Sequence, residues 1–261
     1  PVTLTVNQVL TMSPVDVTTT ICEGENANFS ATTGGETPIS MVWEKDGVPI
    51  SDDGVISGSA TTSITFTNAR PSDAGEYRLT VTFPMTQPNN DPGNPDNCVL
   101  TSTLYRTLVV NPLPVLSGPS EVCVGQTIHW TPNSGGTWVS NDPATATIAS
   151  DGTITGVSDG TVTFTFTETA TGCSSTSAPV TVHPLPTGVI SGNPEICEAD
   201  SADFSVMLTG TAPWDITYTD GTTPVTISGI SSSPYNVRVS PGATTTYTLT
   251  AVNDVYCDAT S

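Results

Sequence analysis

Residues 73–81 read DAGEYRLTV, and residues 41–50 read MVWEKDGVPI. The first is an Asp-x-Gly-x-Tyr corner opening a strand, a setting in which the tyrosine hydroxyl ties back to nearby backbone. The second places Trp43 in a strand that runs into an Asp-Gly hairpin turn at Asp46-Gly47. The chain around them keeps one local pattern. TSITFTN at 62–68, TVTFTFTET at 161–169 and TTTYTLTAV at 244–252 alternate Thr with Ile, Phe, Tyr, Leu or Val, the period of two expected of strands with one buried and one wet face. Asp-Gly steps at Asp46, Asp53, Asp151, Asp159 and Asp220 punctuate these runs. No window has a convincing helical period. Short strands at this density predict an all-β chain of antiparallel sandwiches rather than closed barrels.

Lining up strand-like endings exposes a repeat. TLTVNQVL at 3–10, TLVVNPLP at 107–114 and PVTVHPLP at 179–186 each run into a short hinge. A cysteine follows in ICEGENANF, EVCVGQTIHW and EICEADSADF, and a later one in NCVLTS, GCSSTS and YCDATS. Such self-similarity predicts an array, with modules at 8–111, 112–183 and 184–261. Joining CDATS at 257–261 to PVTLTV at 1–6 reproduces the CSSTSAPVTV pattern of 173–182. Residues 1–7 are therefore expected to be the final strand of a preceding repeat, and 184–261 to lack its own last strand.

The first module resembles an I-set immunoglobulin domain over nearly its whole length. In that topology a core disulfide joins the strand that holds GENANFSA to the strand after the tyrosine corner; here Ala31 and Leu79 stand at those two places. In the second module, WVSNDPATATIASDGTITGVSDGTVTFTFT at 138–167 resembles the bacterial immunoglobulin-like group 2 domain. The hinge, the Cys-Gly opening, the late Cys and the VTV close together resemble tandem modules of large Bacteroidota surface adhesins, SprB-type gliding adhesins among them. The resemblance implies three immunoglobulin-like sandwiches in a rod-like tandem array on a bacterial cell surface, in proteins linked to type IX secretion and gliding motility.

Six cysteines in a Lys-poor, Thr-rich β array predict disulfides and an oxidising, extracellular setting. Pairing inside each module would give Cys22 to Cys98, Cys123 to Cys173 and Cys197 to Cys257, each worth about 4 kcal/mol in the chain-entropy model. An immunoglobulin topology instead puts the early cysteine, two or three residues before the second strand, at the end where the chain leaves, and the late one at the opposite end. A six-residue strand spans about 20 Å, whereas bridged Cα atoms lie within roughly 4.4–6.8 Å. The favoured pairing therefore crosses between neighbours: Cys22 to Cys173, Cys123 to Cys257, and Cys197 to Cys98 of the next copy.

A net charge of -20, with Lys45, Arg70, Arg78, Arg106 and Arg238 as the whole cationic complement, cannot assemble the basic patch that nucleic acid requires. No apolar run is long enough for a membrane span, so this segment is not expected to insert. His129 and His183 have no adjacent nucleophile and no Gly-x-Ser-x-Gly elbow is present, so no catalytic residue is expected. No cofactor is expected either. PNNDPGNPDN at 88–97 groups oxygen ligands, which makes Asp91 and Asp96 calcium candidates. Asp200-Ser201-Ala202 fits an O-glycosylation pattern of the resembled group, at Ser201. Trp43 and Trp138 read as core, while Trp214 is the tryptophan to check for exposure.

These readings converge on a non-enzymatic stalk segment that projects a binding tip and transmits force. Its partners would be neighbouring copies of the same repeat, end to end, with a surface or polysaccharide ligand elsewhere in the parent protein. Two alternatives stay open: carbohydrate-binding accessory modules of a secreted polysaccharide enzyme, and fibre subunits that assemble by strand donation.

Overall fold

The computed structural model describes residues 12–13, 17–33, 37–84, 99–192, 194–197 and 200–260. Among these, the only helical element is the single 3-10 turn Pro71–Asp73; all other regular structure is β. The chain divides into two compact units, Pro1–Leu113 and Pro114–Ser261. Residues 1–7 lie outside the described residues.

The first unit is one sandwich. Its larger sheet runs Val17–Cys22, Val99–Asn111, Gly75–Pro84, Ser40–Lys45 and Val48–Pro49, and the facing sheet runs Ala27–Ser30, Ser63–Phe66 and Ile56–Ser57. The first of these strands pairs in parallel with Val99–Asn111, while Met12–Ser13 pairs with Thr32–Thr33. The period of two does its expected work, since Ile64 and Phe66 are buried and Ser63 and Thr65 are not. Trp43 and Leu79 face each other across strands and both are fully buried. Ala31 belongs to the same core, so aliphatic packing fills the positions where a core bridge would sit. Phe29, Phe66 and Tyr77 meet edge to face, 4.9–5.9 Å between ring centroids, the favoured aromatic geometry. The Tyr77 hydroxyl donates to the Asp73 carbonyl at 2.6 Å. Asp46 and Gly47 both have positive φ, 49° and 83°, and form the two-residue turn between Lys45 and Val48.

The second unit holds two separate cores. One gathers Trp130, Trp138, Ile154, Phe164, Phe166, Val180 and Val182. The other gathers Phe204, Trp214, Ile216, Tyr218, Leu249 and Val252. Around the first lie three sheets: Glu121–Cys123, Val180–His183, Gly160–Val162; Thr127–His129, Thr153–Gly156, Ala146–Ile148; and Gly136–Ser140, Phe164–Glu168, Ser174–Thr176. Around the second lie Gly188–Ser191, Ala202–Leu208, Tyr235–Val239, facing Pro224–Ile230, Trp214–Thr219, Thr248–Asn253 and Asp258–Thr260. The strand Val180–His183 ends one sandwich and Gly188–Ser191 begins the next.

The repeat seen in the sequence is also a repeat of backbone geometry. Cys22 and Cys123 each end a strand that runs parallel to a module's last strand, Cys22 opposite Asn111 and Cys123 opposite His183. Cys22 thus lies inside a strand, five residues ahead of Ala27, not two or three residues before the second strand as expected; the parallel edge strand accounts for the difference. After each cysteine the chain turns, with Glu25 N–H donating to Cys22 O at 3.1 Å and Gln126 N–H to Cys123 O at 3.0 Å. The turns need Gly24 and Gly125 at φ of 86° and 80°, a conformation that other residues adopt at a cost. Asp200 N–H donates to Cys197 O at 3.1 Å, a third instance of the same closure.

Candidate functional site

A covalent bond ties two separate cores of this chain at the junction inside the second unit. Cys123, at the end of its strand, is bonded to Cys257 with Cα atoms 5.9 Å apart, across a sequence separation of 134. That separation lies in the ordinary range for an unforced bridge. Both cysteines are buried, at 4% and 2% exposure. Beside the bridge the rings of His183 and Tyr256 stack face to face, centroids 3.9 Å apart and 7° from parallel. The Cys123 sulfur lies 3.3 Å from the Tyr256 carbonyl oxygen. His183 Nε2 is 3.8 Å from Glu121 Oε1 and has no hydrogen-bond partner.

Asp254 shapes the loop that presents Tyr256 and Cys257. Its Oδ1 accepts from the N–H groups of Tyr256 and Cys257 at 2.9 and 2.7 Å, and its Oδ2 accepts from the Thr211 N–H at 2.9 Å. Asp254 N–H closes the loop on Cys257 O at 2.8 Å. Gly210 is required beneath it: a side chain there would sit 2.5 Å from Asp254 Oδ2. On the hinge side, Thr187 and Thr209 exchange a hydroxyl bond of 2.6 Å, and Thr209 N–H donates to Thr187 O at 2.9 Å. The short Pro184-Leu185-Pro186 segment is therefore held at both ends, and Pro fixes φ within it.

The structure brings Cys123 and Cys257 together, so the within-module pairs Cys123 to Cys173 and Cys197 to Cys257 do not form; Cys257 is already bonded and Cys197 is free and exposed. Cys22 and Cys173 are each disulfide-bonded. Cys98, Asp91 and Asp96 lie outside the described residues. Ser201 is exposed and shares a 2.8 Å hydroxyl contact with Ser240. Trp214 is not exposed: at 8% it is buried, and its indole N–H donates to Thr209 O at 3.0 Å. Trp43, Trp130 and Trp138 are buried too, each with its indole N–H satisfied by a carbonyl. His129 is at a strand end with Nδ1 3.2 Å from Thr153 Oγ1. Among the described residues no group of three or more His, Cys, Asp or Glu is placed to hold a metal, and no helix is long and apolar enough to cross a membrane.

Sequence reading did not single out Tyr256, Asp254 or Glu121. A signal for Asp254 exists, since an Asp two and three residues ahead of donor N–H groups is the ordinary Asx-turn arrangement.

Residues 10–90 match the immunoglobulin I-set domain family. Among solved structures, a three-immunoglobulin-domain fragment of the titin I-band is 16% identical, with 84% of this chain and 82% of that one covered and a TM-score of 0.38. A second titin tandem is 15% identical over 97% of both chains, TM-score 0.33. Sidekick-1 immunoglobulin domains 1–5 are 14% identical over 89% of this chain and 53% of that one, TM-score 0.34. No curated protein matches the chain. The described residues form an all-β array of immunoglobulin-like sandwiches, and residues 10–90 are similar to the I-set domain family.

Proposed function

We propose that this chain is a structural stalk segment of an extracellular repetitive protein, whose work is to keep successive sandwiches in a fixed relation under load. The observation that carries the reading is the junction at Cys123 and Cys257, where a buried disulfide, a ring stack and a doubly anchored hinge act on the same few residues. All four tryptophans are buried, which leaves the carbohydrate-binding alternative without an indole platform. Immunoglobulin-type modules are binding and structural units, and this supports a non-enzymatic role.

Disulfides support an oxidising, extracellular location. The net charge of -20 supports solubility and mutual repulsion among crowded copies. The likeness of the modules to Bacteroidota surface adhesins supports a bacterial cell surface, with gliding or attachment as the setting for the load.

The test is single-molecule energy transfer between dyes placed by unnatural amino acids at Val139 and Val225, both exposed. A narrow distance distribution that broadens on reduction supports the stalk reading. A broad distribution in the oxidised protein overturns it.

A further inference from the structure

Five aspartates of this chain, Asp46, Asp53, Asp151, Asp159 and Asp220, are each followed by glycine, and all five are exposed. Such a step is chemically weak. Glycine has no Cβ to shield its amide nitrogen, so that nitrogen can close on the preceding side-chain carbon when the carboxyl swings towards it. The structure restrains four of the five. Asp53 Oδ1 accepts from the N–H groups of Val55 and Ile56 at 2.7 and 2.6 Å, and Asp151 Oδ1 from the Thr153 N–H at 3.0 Å. Asp220 Oδ1 accepts from the N–H and the hydroxyl of Thr222 at 2.9 and 2.6 Å. In these Asx turns the carboxylate is held against an amide two residues on, away from the amide of the glycine itself. Asp46 is clamped from a neighbouring strand, with Oδ1 accepting from the Glu76 N–H at 2.9 Å and its own N–H donating to Glu76 O at 2.8 Å.

Asp159 is different. Among the described residues its carboxylate has no hydrogen bond and no ion pair. Its neighbours are held instead: Ser158 donates to Thr145 O through its N–H at 3.2 Å and to Ala144 O through its hydroxyl at 2.9 Å. Gly160 opens the strand Gly160–Val162, opposite Val182. That strand lies at a sheet edge, paired on one side only. The end of an edge strand opens at small cost, which frees the Gly160 amide. Bonds from Ile56, Thr153 and Thr222 also hold the carboxyls of Asp53, Asp151 and Asp220 below their ordinary value, whereas ring closure consumes the neutral carboxyl.

We propose that Asp159 is the modification site of this chain, the Asp-Gly step at which the folded protein converts aspartate to isoaspartate. The Gly160 nitrogen bonds to Asp159 Cγ, and a carboxyl oxygen leaves as water with the amide proton and the carboxyl proton, giving a cyclic imide. Water then adds back. Opening at Cγ regenerates aspartate, and opening at the main-chain carbonyl leaves isoaspartate, with the backbone routed through the side chain. One water is lost and one gained, and nothing is oxidised or reduced. The extra backbone carbon sits just ahead of Gly160, so Thr161 and Val162 cannot keep Thr181 and Val180 as partners while Ser158 stays on Thr145. Val162 is buried, and the strand it pairs with carries on its other side the strand that ends in Cys123. Chemical age is thus registered one strand from the disulfide. This inference does not depend on the stalk reading.

Storage of the full-length oxidised chain at physiological pH and temperature tests it. Samples taken over weeks are digested, and isoaspartate at each Asp-Gly step is scored by fragment-ion mass spectrometry and by methylation with an isoaspartyl methyltransferase. Isomerisation leaves the peptide mass unchanged, which separates it from deamidation of asparagine. A reduced sample in guanidinium chloride is stored alongside, where local sequence alone sets the rates. In the denaturant all the Asp-Gly steps are expected to react at similar rates. In the folded chain Asp159 is expected to lead every other step by at least about tenfold, the difference between a frayed edge and a bonded turn. Folded-state rates that are equal, or led by another step, overturn the proposal. So does a folded chain in which Asp159 stays intact while the denatured sample reacts. A lead for Asp159 that persists undiminished in denaturant also overturns it, because the preference would then belong to the local sequence and not to the fold.

Discussion

His183 and Tyr256 come from different sandwiches, 73 positions apart, and lie flat against each other at 3.9 Å beside the disulfide that joins those sandwiches. The contact is the hinge's only described aromatic pair. A face-to-face aromatic pair contributes about 0.5–1.5 kcal/mol beyond its burial, and Tyr256 is 46% exposed, which places this one near the lower end. A double-mutant cycle of His183→Ala and Tyr256→Ala, read by denaturant unfolding, should return a coupling of about 0.5 kcal/mol. A coupling of zero would show that the stack only accompanies the bridge.

The disulfide sets what a pulled chain can release. With Cys123 bonded to Cys257, tension applied at the ends crosses the sulfurs and leaves the intervening residues unloaded. The sequence separation of 134 corresponds to roughly 470 Å of extended chain at about 3.5 Å per residue. Force spectroscopy should show this length hidden in the oxidised protein and recovered on full reduction, while the Cys123→Ser/Cys257→Ser variant should release only part of it, because Cys173 within the same stretch is disulfide-bonded as well.

Asp254 organises the loop that delivers Cys257, with three backbone N–H groups on one carboxylate. Asp254→Ala should destabilise the second unit by about 2 kcal/mol and raise the fraction of Cys257 found as free thiol after oxidative refolding. Asp254→Asn keeps an acceptor oxygen and should cost less.

Tyr77 gives the first unit an alkaline limit. Burial, and then the charges of Asp73, Asp46 and Asp53, push its phenol well above the ordinary value of 10.0. The unfolded chain loses this proton first, so the contribution is whole below about pH 10 and declines as pH rises beyond it. Tyr77→Phe should remove that component of alkaline unfolding while costing about 1 kcal/mol at neutral pH, from the lost bond to Asp73.

Leu79 replaces a core cysteine by packing alone, at 0% exposure against Trp43. Leu79→Ala should destabilise the first unit by about 3 kcal/mol through the cavity it leaves, measured as a shift in the urea midpoint.

The parts of this molecule written in local patterns were readable from the sequence. Tyr77 tied to Asp73, Trp43 in its strand and the Asp46-Gly47 turn each depend on a few neighbouring residues whose chemistry permits little else. Thr alternating with Ile or Phe at 62–68 marked which face would be buried, as Ile64 and Phe66 are. Burial of Trp214 was not readable, because it depends on the carbonyl of Thr209 and on core residues from distant strands. The stack of His183 on Tyr256 was hidden for the same reason: neither residue's neighbours hint at the other. Asp254 sat in plain view, but an aspartate near a turn has many uses, and only the loop geometry selects one.

Where Cys123 meets Cys257, the polypeptide becomes a closed ring hung on two sulfur atoms. A protease that cuts once anywhere from 124 to 256 severs the backbone without parting the molecule, and the break would pass unnoticed until a reductant arrived. The closed ring thus has a tolerance of injury that no amount of apolar packing supplies.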